Sequence, residues 1–245
     1  MSKVMKMLAL VALLLPGAMN AQRGFKFGVK AGLNLTTMPT TDRSWLEINE
    51  GFVRTPKYKA GAHVGPTISL GFGRHGNASL VTDLLFSMKG GTYVYEDYYT
   101  LGSDTVNKKY DHKETVTRMC IDWPILFRYR LNMGVYGEAG IYTSFAAATK
   151  FSTDDSRYDT DELYNYVDIE ESQYIPLDVG FTFGAGWISK GGFGLGLRGF
   201  MGMMDQYNTY TLFVNSLTKP SGRTINMGLQ FGATYYFGWE TKRRR

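Results

Sequence analysis

Residues 25–35 read FKFGVKAGLNL, and this run decides the fold. Phe25, Phe27, Val29, Ala31, Leu33 and Leu35 alternate strictly with Lys26, Gly28, Lys30, Gly32 and Asn34. A period of two over this length specifies a strand with two unlike faces, because successive side chains leave a pleated backbone in opposite directions. The pattern returns in 58–72, 78–89, 116–131, 135–147, 174–188, 193–203 and 224–237. Eight strands are therefore expected, an even number that closes antiparallel with both ends of the ring on one side. The bulk composition agrees. Among 245 residues there are 29 Gly, 17 Tyr and 15 Phe. Glycine weakens helices while aromatics favour strands. A mean hydropathy of −0.21 argues against a bundle of membrane helices. The single cysteine, Cys120, excludes a disulfide scaffold and a cysteine-based zinc cluster.

The connections between these strands sort by length. Strands two and three are joined by GRHGNA, four and five by Asn132-Met133-Gly134, and six and seven by Ser189-Lys190-Gly191-Gly192. The other links, 36–57, 90–115, 148–173 and 204–223, are long. Short turns at one end and four long loops at the other are the layout of an outer-membrane barrel, with turns periplasmic and loops extracellular. Periodicity alone does not say which face looks outward, so a lipocalin-like cup is the competing architecture. The polar set is rich in glycine with scattered charge, unlike the Lys- and Glu-studded exterior of a soluble barrel. Phe25, Phe72, Tyr129, Trp187, Phe193, Tyr235, Phe237 and Trp239 gather at the short-turn ends, as in an interfacial aromatic girdle. Both features place the apolar face in lipid. The expected fold is all-β, an eight-stranded antiparallel transmembrane barrel.

Residues 1–21 stand apart from that pattern. Lys3 and Lys6 precede the nine-residue apolar run Met7–Leu15, and Pro16-Gly17 break it before small residues. This is the form of a cleaved secretory signal, too short to span about 30 Å of hydrocarbon. The barrel domain is then 22–245. Losing two lysines lowers the net charge from +5 to +3, too little to argue for a nucleic-acid partner.

With the apolar face outward, Lys30, Lys59, Asp83, Arg118, Asp122, Arg128, Glu138, Asp178 and Arg198 point into the lumen. A tight turn centred on Met133 sets Arg128 opposite Glu138 across strands four and five. An eight-stranded bore is just wide enough for its own side chains. A structural ionic plug is therefore expected over a cationic channel, and general diffusion is not. Closure also requires strand eight to pair with strand one, bringing Phe27 and Phe231 to the same wall, since lipid leaves no backbone group unpaired.

The loops carry less chemistry. Asp154, Asp155, Asp159, Asp161, Glu162, Asp168, Glu170 and Glu171 make the third loop acidic, without the spacing of a calcium loop. A solvated loop is the expectation. Tyr93, Tyr95, Tyr98, Tyr99, Tyr207 and Tyr210 supply either a binding rim or its packing. His63, His75 and His112 fall in three environments, and Ser103 near His112 has no orienting carboxylate, so no enzyme site, metal or cofactor is expected.

The runs FKFGVKAGLNLTTM, YKAGAHVGPTISLGF and LLFSMKGGTY together resemble the outer-membrane β-barrel family of Bacteroidota, which includes porin-family and PorT-like members. So do IDWPILFRYRL with Pro124 in mid-strand, YIPLDVGFTFGAGW, RTINMGLQFGATYYF and the Ala21-Gln22 junction. The resemblance covers about 24–238. It implies an eight-stranded outer-membrane barrel of unassigned activity; the role expected from the lumen and loops is structural or surface interaction, with outer-membrane lipids and the barrel-assembly machinery as partners. PorT-like kinship implies envelope or secretion partners of the type IX route. A lipid A-modifying enzyme is the remaining alternative. The tail GWETKRRR departs from barrels that stop on a terminal aromatic.

Overall fold

A computed structural model describes residues 24–39, 52–72, 77–101, 104–131, 133–154, 175–206 and 223–238. Among these residues ten strand segments occur: β1 (Phe25–Thr37), β2 (Phe52–Lys57), β3 (Lys59–Phe72), β4 (Ala78–Asp83) and β5 (Leu85–Leu101). They continue with β6 (Asp104–Arg130), β7 (Val135–Asp154), β8 (Leu177–Ile188), β9 (Phe193–Gly202) and β10 (Met227–Tyr236). All pair antiparallel. β2 runs into β3 and β4 into β5, so the ten segments form eight staves. β1 pairs with β3 on one edge and with β10 on the other, and the ring closes.

The alternation sets the faces as sterics demand. Lys30, Asn34, His63, Asp83, Arg118 and Arg198 are buried, while Leu33, Val64, Trp123, Phe183 and Phe231 stand exposed. Phe183 is 64% and Leu33 65% exposed, a wall of apolar surface that only a lipid environment covers. Closure also matches the chain's needs, because β1 and β10 leave no open edge in hydrocarbon. Phe27 lies on the closing wall, although its ring partner there is Phe237, with centroids 6.0 Å apart, and Phe231 faces Leu33, six residues further along the ladder.

Several strand bounds differ from the sequence expectation. The expected third strand, 78–89, is interrupted at Leu84. The Leu84 N–H donates to the Pro66 carbonyl at 3.0 Å, and proline has no N–H to return. On the other edge the register carries Pro124 to the position opposite Asp83, where a second ladder donor is missing. One stave is thus flanked by a proline on each side.

The loop expected at 90–115 is instead mostly ladder. β5 and β6 stay paired from Leu85↔Asp122 out to Leu101↔Asp104. β2, inside the expected first loop, joins that hairpin through Phe52↔Asp97 to Lys57↔Thr92, and β7 follows it to Asp154. Backbone pairing holds this part of the ladder, and it does not require an apolar-polar alternation. Between Met119/Cys120 the β6–β7 register shifts and Ala147 is left over, a bulge that ends the regular alternation of β7. At the opposite extremes β8 and β10 start later than their expected strands, at Leu177 and Met227.

Candidate functional site: the charged lumen and its rim

The short turns set the registers that stack charge in the lumen. At the β6–β7 turn, Gly134 adopts a φ of 90°, Gly134 N–H donates to Leu131 O at 2.9 Å, and Leu131 N–H donates to Val135 O at 2.7 Å. A left-handed residue here is what glycine tolerates and others resist. The tight turn places Arg128 directly opposite Glu138.

From that pair a network spans the bore. Arg128 donates through Nε and Nη2 to Glu138 Oε2 at 2.9 and 2.7 Å. Arg198, on β9, approaches Glu138 Oε1 through Nε at 2.9 Å and Nη2 at 2.8 Å. It also donates from Nη1 to Asp83 Oδ2 at 2.8 Å. Lys30 Nζ reaches the same Asp83 oxygen at 3.3 Å, and Thr67 Oγ1 donates to Asp83 Oδ1 at 2.6 Å. Arg128 Nη1 donates to Tyr236 Oη at 2.9 Å, and its guanidinium lies 4.2 Å from the centroid of the Tyr136 ring. Each acid is shared by two cations. In a region closed to water, charges survive when their lone pairs and protons are engaged in this way.

Tyr136, Ile188 and Tyr236 form an apolar floor on the short-turn side of this layer. Glycine makes the floor possible: a Cβ at Gly186 or Gly196 would stand 2.5 or 2.4 Å from the Tyr136 hydroxyl. On the loop side, Asn34 Nδ2 donates to Ala62 O, Ser87 Oγ and Met88 O at 3.0, 2.9 and 3.0 Å. Its Oδ1 must then accept, so His63 Nδ1, 2.7 Å away, carries the proton.

A second ionic layer follows. Lys89 Nζ pairs with Asp122 Oδ1 at 2.8 Å and lies 4.4 Å from the centroid of Phe200. Tyr142 Oη donates to Asp178 Oδ2 at 2.8 Å. Outermost, Arg118 donates to Gln206 Oε1 and, at 2.7 Å, to Ile175 O.

Of the nine lumen residues expected from the sequence, Lys30, Asp83, Arg128, Glu138 and Arg198 meet in one network. Asp122 and Asp178 lie in the second layer, and Arg118 stands above it with Gln206. Lys59 joins neither layer: it is half-buried at the start of β3, beside Gly90. Sequence reasoning missed Tyr236, Phe200 and Gln206 as lumen groups. For Tyr236 a glycine was the available signal: its ladder partner is Gly28, where a Cβ would stand 3.0 Å from the Tyr236 ring.

The aromatic residues expected at the rim lie at the short-turn end. Phe72, Tyr129, Trp187, Phe193, Tyr235 and Phe237 are exposed there, and Phe25 is half-buried. Tyr235 faces Phe193 across the ladder and packs edge-on against Phe237, with centroids 5.4 Å apart. Trp187 donates its indole N–H to Met133 O at 3.2 Å. Trp239, residues 1–21, the acidic run 155–171, Ser103, His75, Tyr207 and Tyr210 lie outside the described residues. The same holds for the side chains of Tyr95, Tyr98, Tyr99 and His112. Among the described residues no three His, Cys, Asp or Glu converge as a metal centre, and Cys120 is a buried free thiol.

Residues 18–208 match the family described as the outer membrane protein beta-barrel domain. The chain belongs to that family. This outer membrane barrel domain is accordingly an outer-membrane protein, with β10 closing the ring beyond the matched region. Among solved structures, Neisserial surface protein A (NspA) is similar at 10% identity and a TM-score of 0.41, covering 88% of this chain and 100% of that one. OprG from Pseudomonas aeruginosa is similar at 11% identity and a TM-score of 0.35, covering 86% and 96%. Comparison with curated proteins returned no match.

Proposed function

We propose that this outer-membrane barrel is a sealed, non-enzymatic scaffold whose role lies in the sheet and loops it raises above the membrane. The observation that carries this is the Arg128–Glu138–Arg198–Asp83–Lys30 network, which joins β1, β4, β6, β7 and β9 across the bore. Groups from opposite walls that bond each other leave no continuous path for a solute. The purified protein in a planar bilayer should produce no stable, large conductance step; a long-lived pore in the folded wild-type protein overturns the reading. Unchanged lipid A mass spectra on deletion and overexpression are expected, and a modified lipid A would establish an enzyme.

Within this class, IDWPILFRYRL and RTINMGLQFGATYYF support placing the protein in the Bacteroidota barrel family, a PorT-like secretion accessory is the alternative role, and the run 1–21 supports export through a cleaved signal. Recovery of type IX secretion components after crosslinking in cells is the expected result of that accessory role. Their absence from the crosslinked material refutes it.

A further inference from the structure

Just beyond the apolar wall, β2, β5, β6 and β7 carry a cationic, hydroxyl-rich strip on the side that faces away from the lumen. Val116 and Arg118 are buried at 1% and 2%, so Thr115, Thr117 and Met119 point outward. The ladder then sets the strip. Lys57 pairs with Thr92, Thr92 with Thr115, and Thr115 with Ser152. One step toward the membrane, Thr117 pairs with Lys150, and one step away Lys113 follows Thr115 on the same face. Lys57, Lys113 and Lys150 are all exposed, and none has an ion pair among the described residues.

Height along β6 locates the strip. From Tyr129, at the aromatic rim, to the exposed Met119 the strand climbs about 25 Å at ordinary rise and tilt, the height of an apolar barrel band. Residues 117 to 113 then stand about 5 to 15 Å beyond it, where lipid headgroups replace acyl chains. Loose ammonium groups over an apolar wall suit a ligand that is anionic above and acylated below.

We propose that Lys57, Lys113 and Lys150, with Thr115, Thr117 and Ser152, bind the phosphate-bearing headgroup of an outer-leaflet glycolipid whose acyl chains lie on the wall below. The proposal rests on the outer-membrane reading and its loop-side-outward orientation. The ammonium groups neutralise phosphate and the hydroxyls donate hydrogen bonds to it; no group is transferred. Asp154 is the ladder position opposite Lys113, so Lys57 and Lys150 are the pair to test first.

The test is native mass spectrometry of the full-length barrel in detergent, titrated with bisphosphorylated lipid A and with its dephosphorylated form. Each single Lys→Gln change at 57 or 150 should weaken binding of the phosphorylated lipid about fivefold, and K57Q/K113Q/K150Q about a hundredfold. The dephosphorylated lipid should bind the wild type no better than the phosphorylated lipid binds the triple variant. The triple Lys→Arg variant should retain binding, and serves in place of the Gln series if that series does not fold, with added salt then expected to weaken its binding. Equal affinity for the two lipids, or a folded triple Gln variant that binds like the wild type, overturns the proposal. A conducting barrel would refute the sealed scaffold and leave this site standing, so the two failures are separable.

Discussion

Glu138 concentrates much of what holds the lumen together. Its two oxygens are taken by Arg128 and Arg198, one guanidinium on each. Removing it leaves two buried cations facing each other with a single acid, Asp83, left to serve Arg198 and Lys30. Breaking a buried pair from one side costs about 3–5 kcal/mol, far more than an exposed pair is worth. Glu138→Ala should therefore lower the urea unfolding free energy of the reconstituted barrel by about that amount. A change under about 1 kcal/mol, the worth of an exposed pair, would mean that the lumen is wet enough to screen these charges. Arg128 opposite Glu138 was readable from the turn length. Arg198 reaching both Glu138 and Asp83 was not, since these residues lie on β9, β7 and β4, which share no common ladder.

The weak element is the stave β4–β5. Its break at Leu84 falls between Pro66 and Pro124, and the local repair is made by side chains. Trp123 Nε1 donates to Thr82 Oγ1 at 2.9 Å, and Thr82 Oγ1 donates to Pro124 O at 3.0 Å. Pro66→Ala returns a backbone donor to the Leu84 carbonyl, a bond worth about 1 kcal/mol net. Amide exchange at Leu84 should slow about fivefold as its ladder becomes two-sided. An unchanged rate at Leu84 would assign the break to another cause. Both prolines were visible in the sequence, but the strand pattern of 78–89 ran through the break, since a proline acts on the neighbouring stave and not on its own alternation. The outer hairpin of β5 and β6 was invisible for the opposite reason: its residues pair through backbone groups, and the sequence there carries no strict apolar-polar alternation to read.

For the molecule as a whole, closure is the decisive contact. β10 pairs with β1 over Gly28↔Tyr236 to Thr37↔Met227 and with β9 over Met227↔Met201 to Tyr235↔Phe193. Truncation before residue 223 opens two edges at once, each a row of unpaired backbone groups in lipid. The truncated chain should fail to yield the compact, heat-modifiable band of a folded barrel on cold SDS gels. A folded truncated barrel would show that β1 and β9 can close without β10.

The amino-acid sequence by itself determined the two-faced strands, the short turns, and the lipid or lumen face of the strictly alternating residues. These are consequences of pleat, period and turn chemistry, all local to a few residues. Only the tertiary structure decided which charges meet across the bore, where the stave breaks, and how far the sheet climbs beyond the membrane. Those outcomes depend on registers accumulated around a closed ring, where each stave is positioned by neighbours distant in the chain. The ladders joining β2, β5, β6 and β7 likewise turn Lys57, Lys113 and Lys150 from scattered loop cations into one outward strip.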